Sequence, residues 1–124
     1  MLSTAPFIYE YIRAMFEMFP NFWTPVLPIA EIGFAPIAVE LAGESLVLFR
    51  NSEGQFAALS NRCPHRGAPL SRGQITEDGC LQCPYHGWHF TASGACTRVP
   101  FNQLNQAQLS KLSAVSFPTK VIAG

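Results

Sequence analysis

The sequence predicts an all-β fold: a small β-sandwich or barrel bearing a subdomain of two Cys/His loops, with one helix at the N-terminus. Three observations predict it. Short β-like apolar runs succeed one another from Trp23 onward. Turn residues punctuate these runs about every 8–12 positions, the spacing of small sandwiches and barrels. Two segments rich in Cys, His, Pro and Gly, Cys63–Gly67 and Cys83–Trp88, interrupt the strand pattern as a matched pair of loops.

The elements follow in order. Thr4 and Pro6 mark a helix start, a capping hydroxyl followed by a proline tolerated in the first turn. Phe7, Ile8, Tyr11, Ile12, Met15, Phe16 and Phe19 recur at helical spacing until Pro20 and Asn21 end the segment. Residues 1–22 therefore read as a helical extension laid on the core or on a partner, in preference to a membrane surface. Ala35–Leu41 and Ser45–Arg50 flank Ala42-Gly43-Glu44 and read as a hairpin. Asn51-Ser52-Glu53-Gly54 is a second turn, leading into Gln55–Ser60. Further strands are expected over Cys80–Cys83, Trp88–Thr91, Ala95–Val99 (after the Ser93-Gly94 turn) and Ser113–Phe117. Asn102–Lys111 reads as a polar loop or a short helix. The domain proper is expected over 23–124, with the two loops forming a subdomain of about 61–91.

Composition narrows the function classes. With 124 residues and 48% of them hydrophobic, the chain suits one domain with a real core. Formal net charge is zero and no Lys/Arg run occurs, which argues against nucleic-acid binding. No stretch approaches the roughly 20 apolar residues of a membrane span, and Pro20, Pro25 and Pro28 break the longest uncharged run, Met18–Ala30. Glu10, Arg13 and Glu17 interrupt the apolar residues where a secretory signal would lie. The expectation is a soluble, cytoplasmic protein whose cysteines serve a metal before they serve disulfides.

The two loops carry the chemistry. Cys63-Pro64-His65 and Cys83-Pro84-Tyr85-His86 spell C-x-H, seventeen residues, then C-x-x-H. Thiolate and imidazole suit iron–sulfur centres, and each loop supplies one of each. Two loops meeting tip to tip can then put both sulfurs on one iron and both imidazoles on the other. Pro64 and Pro84 stiffen the loops, while Gly67 and Gly87 permit turns that a Cβ would resist. A structural zinc site commonly pairs its ligands as C-x₂₋₄-C with H-x₃₋₅-H, a poor match to these mixed pairs. A Cys63–Cys83 disulfide would leave both histidines unexplained. Cys63, His65, Cys83 and His86 are thus the candidate ligands of one [2Fe–2S] cluster. Replacing two thiolates by two imidazoles makes the oxidised cluster formally neutral, which eases its reduction and raises its potential to about −150 to +300 mV.

At "CPHRGAPLSRG" and "LQCPYHGWHF", followed by Gly94, Cys96 and Val99-Pro100, the sequence resembles the N-terminal domain of Rieske non-haem iron oxygenases, from about Trp23 to Gly124. The resemblance implies that Cys63 and Cys83 hold one iron and that His65 and His86 hold the other. It also implies a reductase or ferredoxin as electron donor, and a mononuclear iron as acceptor, commonly in a neighbouring subunit of a trimer. Respiratory Rieske proteins differ: they carry two additional cysteines, matched here by Ala68 and Tyr85, and sulfur-bonding Ser and Tyr hydroxyls, matched by Trp88 and Phe90. Without those donors the reduced state is less stabilised, which implies a cluster in the lower half of the Rieske range.

The mononuclear iron needs two histidines and a carboxylate. The chain has three histidines, and two are committed to the loops, leaving His89. These residues can hand on an electron but cannot build that site. The ending "FPTKVIAG" resembles the point at which a family member continues into its catalytic domain, so the chain is expected to be the Rieske portion of a longer oxygenase. The rival readings are a stand-alone Rieske ferredoxin and a zinc-stabilised interaction module. Of the remaining residues, Cys80 and Cys96 are expected as buried free thiols and His89 as a partly exposed strand residue. Trp88 and Tyr85 are expected to pack at the cluster, and Arg66 to orient a loop carbonyl or meet an acidic partner. Phe16, Phe19, Phe22 and Trp23 are expected to form core or domain contact.

Overall fold

Alternating and continuous apolar runs resolve into two antiparallel sheets. The structure, a computed structural model, describes residues 23, 25–41, 43–100 and 103–122. The helix predicted over 1–22, including Phe16, Phe19 and Phe22, lies outside the described residues, as does Ala42 of the first turn. The strands are β1 (Ile37–Leu41), β2 (Glu44–Arg50), β3 (Phe56–Ser60), β4 (Gln74–Ile75), β5 (Leu81–Gln82), β6 (His89–Phe90), β7 (Cys96–Arg98) and β8 (Ser116–Phe117). One sheet has the order β1-β2-β3-β8 and the other β4-β5-β6-β7, every neighbouring pair antiparallel.

The run Leu46–Phe49 is apolar at every position because β2 is central and covered on both faces. Val47 and Phe49, paired with Leu59 and Ala57, face the main core with Leu70, Leu81, Phe90 and the two loop cysteines. Leu48 and its partner Ala58 face the other way, where Ile32, Ile37, Val39 and Phe56 cover them. Fully burying a side chain such as Phe49 or Leu59 contributes about 1.5–3 kcal/mol each. At the end of β2, Asn51 accepts two backbone N–H bonds through Oδ1, from Glu53 and Gln55, both at 2.9 Å, which fixes the second predicted turn.

The predicted strands are present but shorter in the second sheet, and β4 is an addition. Gln74 and Ile75 lack the apolar alternation that marks a strand; their pairing with Gln82 and Leu81 is decided by the neighbouring strand. The polar stretch after Pro100 contains a short helix, α1 (Gln106–Leu109), closed at its start by a reciprocal capping box between Asn105 and Gln108. The late strand contracts to Ser116–Phe117, yet it closes the first sheet against β3, and Ala114 just before it is buried in the main core. Trp23 is half exposed, with the Lys120 ammonium 5.7 Å from its ring, so it makes a surface contact and not core. Among the described residues no helix is long and apolar enough to cross a membrane.

Candidate metal centre

The two loops are built on one backbone plan. In each, the cysteine N–H donates to the carbonyl five residues on, Ala68 in the first and Trp88 in the second, both at 2.8 Å. The glycine four residues on returns a bond to the cysteine carbonyl, Gly67 to Cys63 at 2.8 Å and Gly87 to Cys83 at 3.1 Å. Both glycines sit at positive φ, 76° and 74°, where a Cβ would be strained. These positions are why each loop reads Cys-Pro-x-x-Gly.

The loops are anchored from behind. Asn61, at the end of β3, accepts the Ser71 N–H on Oδ1 at 2.7 Å and donates through Nδ2 to Ser71 Oγ (2.9 Å) and Ser45 Oγ (3.2 Å). This ties the 3-10 turn Leu70–Arg72 (after the first loop) to the first sheet. Gly73 then passes so close to β5 that a Cβ there would lie 1.9 Å from the Gln82 carbonyl oxygen, one residue before Cys83. Sequence reasoning missed both Asn61 and Gly73, since neither residue type names its partner.

The four predicted ligands come together as two pairs. Cys63 and Cys83 are each 2% exposed and belong to the main core with Leu70, Leu81, Trp88 and Phe90. They are free thiols, and the Cys83 side chain lies within hydrogen-bonding reach of Cys63. Burial, then the neighbouring Cys83, pushes the Cys63 thiol up to about 11. The histidines are exposed, with Nδ1 of His65 and Nδ1 of His86 only 3.1 Å apart. His65 titrates below the usual histidine range, through desolvation and the nearby charges of His86 and Arg66.

This donor set fits a binuclear cluster. Two nitrogens on one tetrahedral ion, at bonds of about 2.1 Å, lie roughly 3.4 Å apart, close to the spacing seen. Among the described residues no three His, Cys, Asp or Glu side chains converge as a single ion would require. A sulfur pair in the core and a nitrogen pair at the surface suit two irons better than one zinc.

A family model for the Rieske [2Fe–2S] domain matches residues 22–112. The chain belongs to that family. The Rieske domain implies one Rieske-type [2Fe–2S] cluster. Its relatives include pheophorbide a oxygenase of Oryza sativa subsp. japonica, 42% identical over 82% of this chain and 21% of that protein. Another is the 3-chlorobenzoate-3,4-dioxygenase oxygenase subunit of Comamonas testosteroni, 37% identical over 84% of this chain and 24% of that protein. Among solved structures, dicamba monooxygenase superposes with a TM-score of 0.73 at 37% identity, over 79% of this chain and 29% of that one. The Rieske chain thus spans about a fifth to a quarter of the length of these curated relatives.

The other singled-out residues separate clearly. His89 lies in β6, partly exposed, and Cys80 and Cys96 are buried free thiols, as the sequence predicts. Trp88 is 8% exposed and lies parallel to the His65 ring, 10° between planes with centroids 4.5 Å apart. Tyr85 packs beside the site, as the sequence predicts: its ring meets the His86 ring edge-on, centroids 4.1 Å apart, while the side chain stays 63% exposed. Arg66 is exposed.

Proposed function

We propose that Cys63, His65, Cys83 and His86 bind the cluster of this Rieske domain, and that the domain is the part of an oxygenase at which electrons arrive. The observation that carries the assignment is the pairing itself: two equivalent loops bring two buried thiols together and two exposed imidazoles to 3.1 Å. The cluster, when bound, supplies a one-electron couple. The chain's own residues do the rest. The apolar core around Cys63 and Cys83 excludes water from the sulfur side, and no polar or charged residue is buried among those described. The exposed histidine rings leave the nitrogen side open to a donor and an acceptor.

In this reading single electrons come from a reductase or ferredoxin and pass to a mononuclear iron, on family resemblance in a neighbouring subunit of a trimer. That the relatives are oxygenases supports this over a stand-alone ferredoxin. We assign the domain to 23–124, with a cluster-binding subdomain of about 61–91; the sheet pairing of β8, past residue 112, supports the longer boundary. Four free thiols suit a reducing, cytoplasm-like compartment.

The test is anaerobic reconstitution with iron and sulfide, then reduction. The expected product is reddish-brown and gives a mixed-valence paramagnetic resonance signal with two nitrogen couplings. Cys63→Ser or His86→Ala should abolish that signal. A colourless protein carrying stoichiometric zinc would overturn the assignment.

A further inference from the structure

The two ligand loops share a backbone, but their position five residues after the cysteine differs: Ala68 in the first, Trp88 in the second. Trp88 uses that place to reach across to the other loop. Its ring lies flat on His65, while its own loop's histidine, His86, has beside it the exposed Tyr85, edge-on at 4.1 Å, and the tilted His65 ring at 4.7 Å. Trp88 cannot drift: its carbonyl holds the Cys83 N–H at 2.8 Å, its side chain is buried, and Phe90 stands at 6.4 Å in the core. His65, by contrast, is a surface side chain whose aromatic contacts are the fixed Trp88 face and the His86 ring.

Resting on the proposed ligand set, we infer that Trp88 is a positioning residue, a cross-loop wall that fixes the plane of the His65 imidazole and thereby makes the two histidines unequal. One lies on a buried face fixed in the core, while the other has only exposed rings as its described aromatic contacts, Tyr85 and His65. A face-stacked aromatic resists tilting of its partner by the contacts it would lose, so the wall narrows the orientations in which His65 offers its Nδ1. A residue that merely filled the core would have no need to lie parallel to a surface histidine.

The experiment compares native, Trp88→Phe, Trp88→Leu and, as a core control, Phe49→Leu, each as the reconstituted holoprotein. The readouts are pulsed electron resonance of the two nitrogen couplings and the rate of cluster loss to a ferrous chelator at fixed pH. Trp88→Leu should broaden one nitrogen coupling and leave the other sharp. Its cluster loss should rise about threefold to tenfold, the upper figure corresponding to about 1.4 kcal/mol. Trp88→Phe, which keeps a flat face, should restore both. Phe49→Leu should lower thermal stability with both couplings intact. Two sharp couplings in Trp88→Leu, with a loss rate no faster than in Phe49→Leu, would overturn the inference while leaving the ligand assignment standing. A native holoprotein without nitrogen couplings would overturn the ligand assignment, and the clamp with it.

Discussion

Replacing Gly73 by alanine tests whether the two loops are held at a fixed separation by the backbone. Gly73 has an ordinary extended backbone (φ −82°, ψ −156°), so alanine brings no left-handed strain; the obstacle is space. The new Cβ would stand 1.9 Å from the Gln82 carbonyl oxygen, 3.0 Å from its carbon and 3.2 Å from the Leu70 oxygen. All three are backbone atoms, so no flexible side chain can swing aside. Relieving the first contact requires β4 and β5 to separate by about 1 Å where Gln74 pairs with Gln82, directly before Cys83. Overpacking typically costs about 1–3 kcal/mol, and a backbone clash on three sides belongs at the upper end. About 3 kcal/mol lowers the melting temperature of a chain this size by roughly 10–15 °C. Because the shift falls on the second ligand loop, cluster content should fall as well. Differential scanning calorimetry and the visible absorbance of the reconstituted protein measure the two effects. Gly33→Ala, with nothing within 4 Å of its Cβ, is the control. A Gly73→Ala protein melting within about 2 °C of the native one, fully loaded with cluster, would refute the argument that this approach sets the loop spacing.

Three further outcomes are expected. Asn61→Ala removes both anchors on Ser71 and the one on Ser45, leaving the half-buried Ser71 N–H unpaired; about 1–3 kcal/mol should be lost in a denaturant midpoint, and Asn61→Asp, which keeps the acceptor, should recover part of it. The metal-free protein should lose stability between about pH 9 and about pH 11: the folded Cys63 thiol is raised from 9.0 to about 11 by burial, then Cys83, so above pH 9 the unfolded chain sheds a proton that the folded one retains. Thermal melts across that range check it, and Cys63→Ala should lessen the decline, the buried Cys80 and Cys96 thiols, also raised by burial, accounting for what remains. Finally, Trp88 and Phe90 bring no hydroxyl to the sulfur side and no polar residue is buried among those described, so a reductive titration should place the midpoint in the lower half of the roughly −150 to +300 mV Rieske range; a value well above zero would contradict it.

The sequence was most legible where one residue type has few uses. Mixed Cys/His pairs, prolines and glycines at repeated offsets identify the loops because so few structures need them, and the apolar run Leu46–Phe49 identifies a central strand. The two-residue strand β4 was illegible because its pairing is imposed by β5 and not by its own pattern. Tyr85 is legible in part: its place in the second loop predicts packing beside the site, where it meets His86, but not its 63% exposure, which the loop-tip backbone sets. Asn61 and Gly73 act through partners ten and nine residues away in sequence (Ser71 and Gln82), contacts that only the folded chain specifies.

On the proposed ligand set, the placement of the two pairs also explains why so small a domain exposes histidine and hides cysteine. Thiolates are the costlier groups to leave accessible, since an exposed thiol exchanges and oxidises. Seating Cys63 and Cys83 among Leu70, Leu81 and Phe90 protects them, but the same burial raises the Cys63 thiol and opposes deprotonation. Iron binding must therefore offset that cost, which couples completion of the core to arrival of the metal. On the same proposal the imidazoles carry no such penalty: they would bind as neutral groups, so they can sit at the surface, open to a donor and an acceptor. An apolar seat for sulfur and an open rim for nitrogen are two consequences of one constraint, the different solvation of a thiolate and an imidazole. Exchanging the two ligand types between buried and exposed positions, Cys63→His with His65→Cys, should on this reasoning yield a protein that fails to retain a cluster even though its ligand count is unchanged.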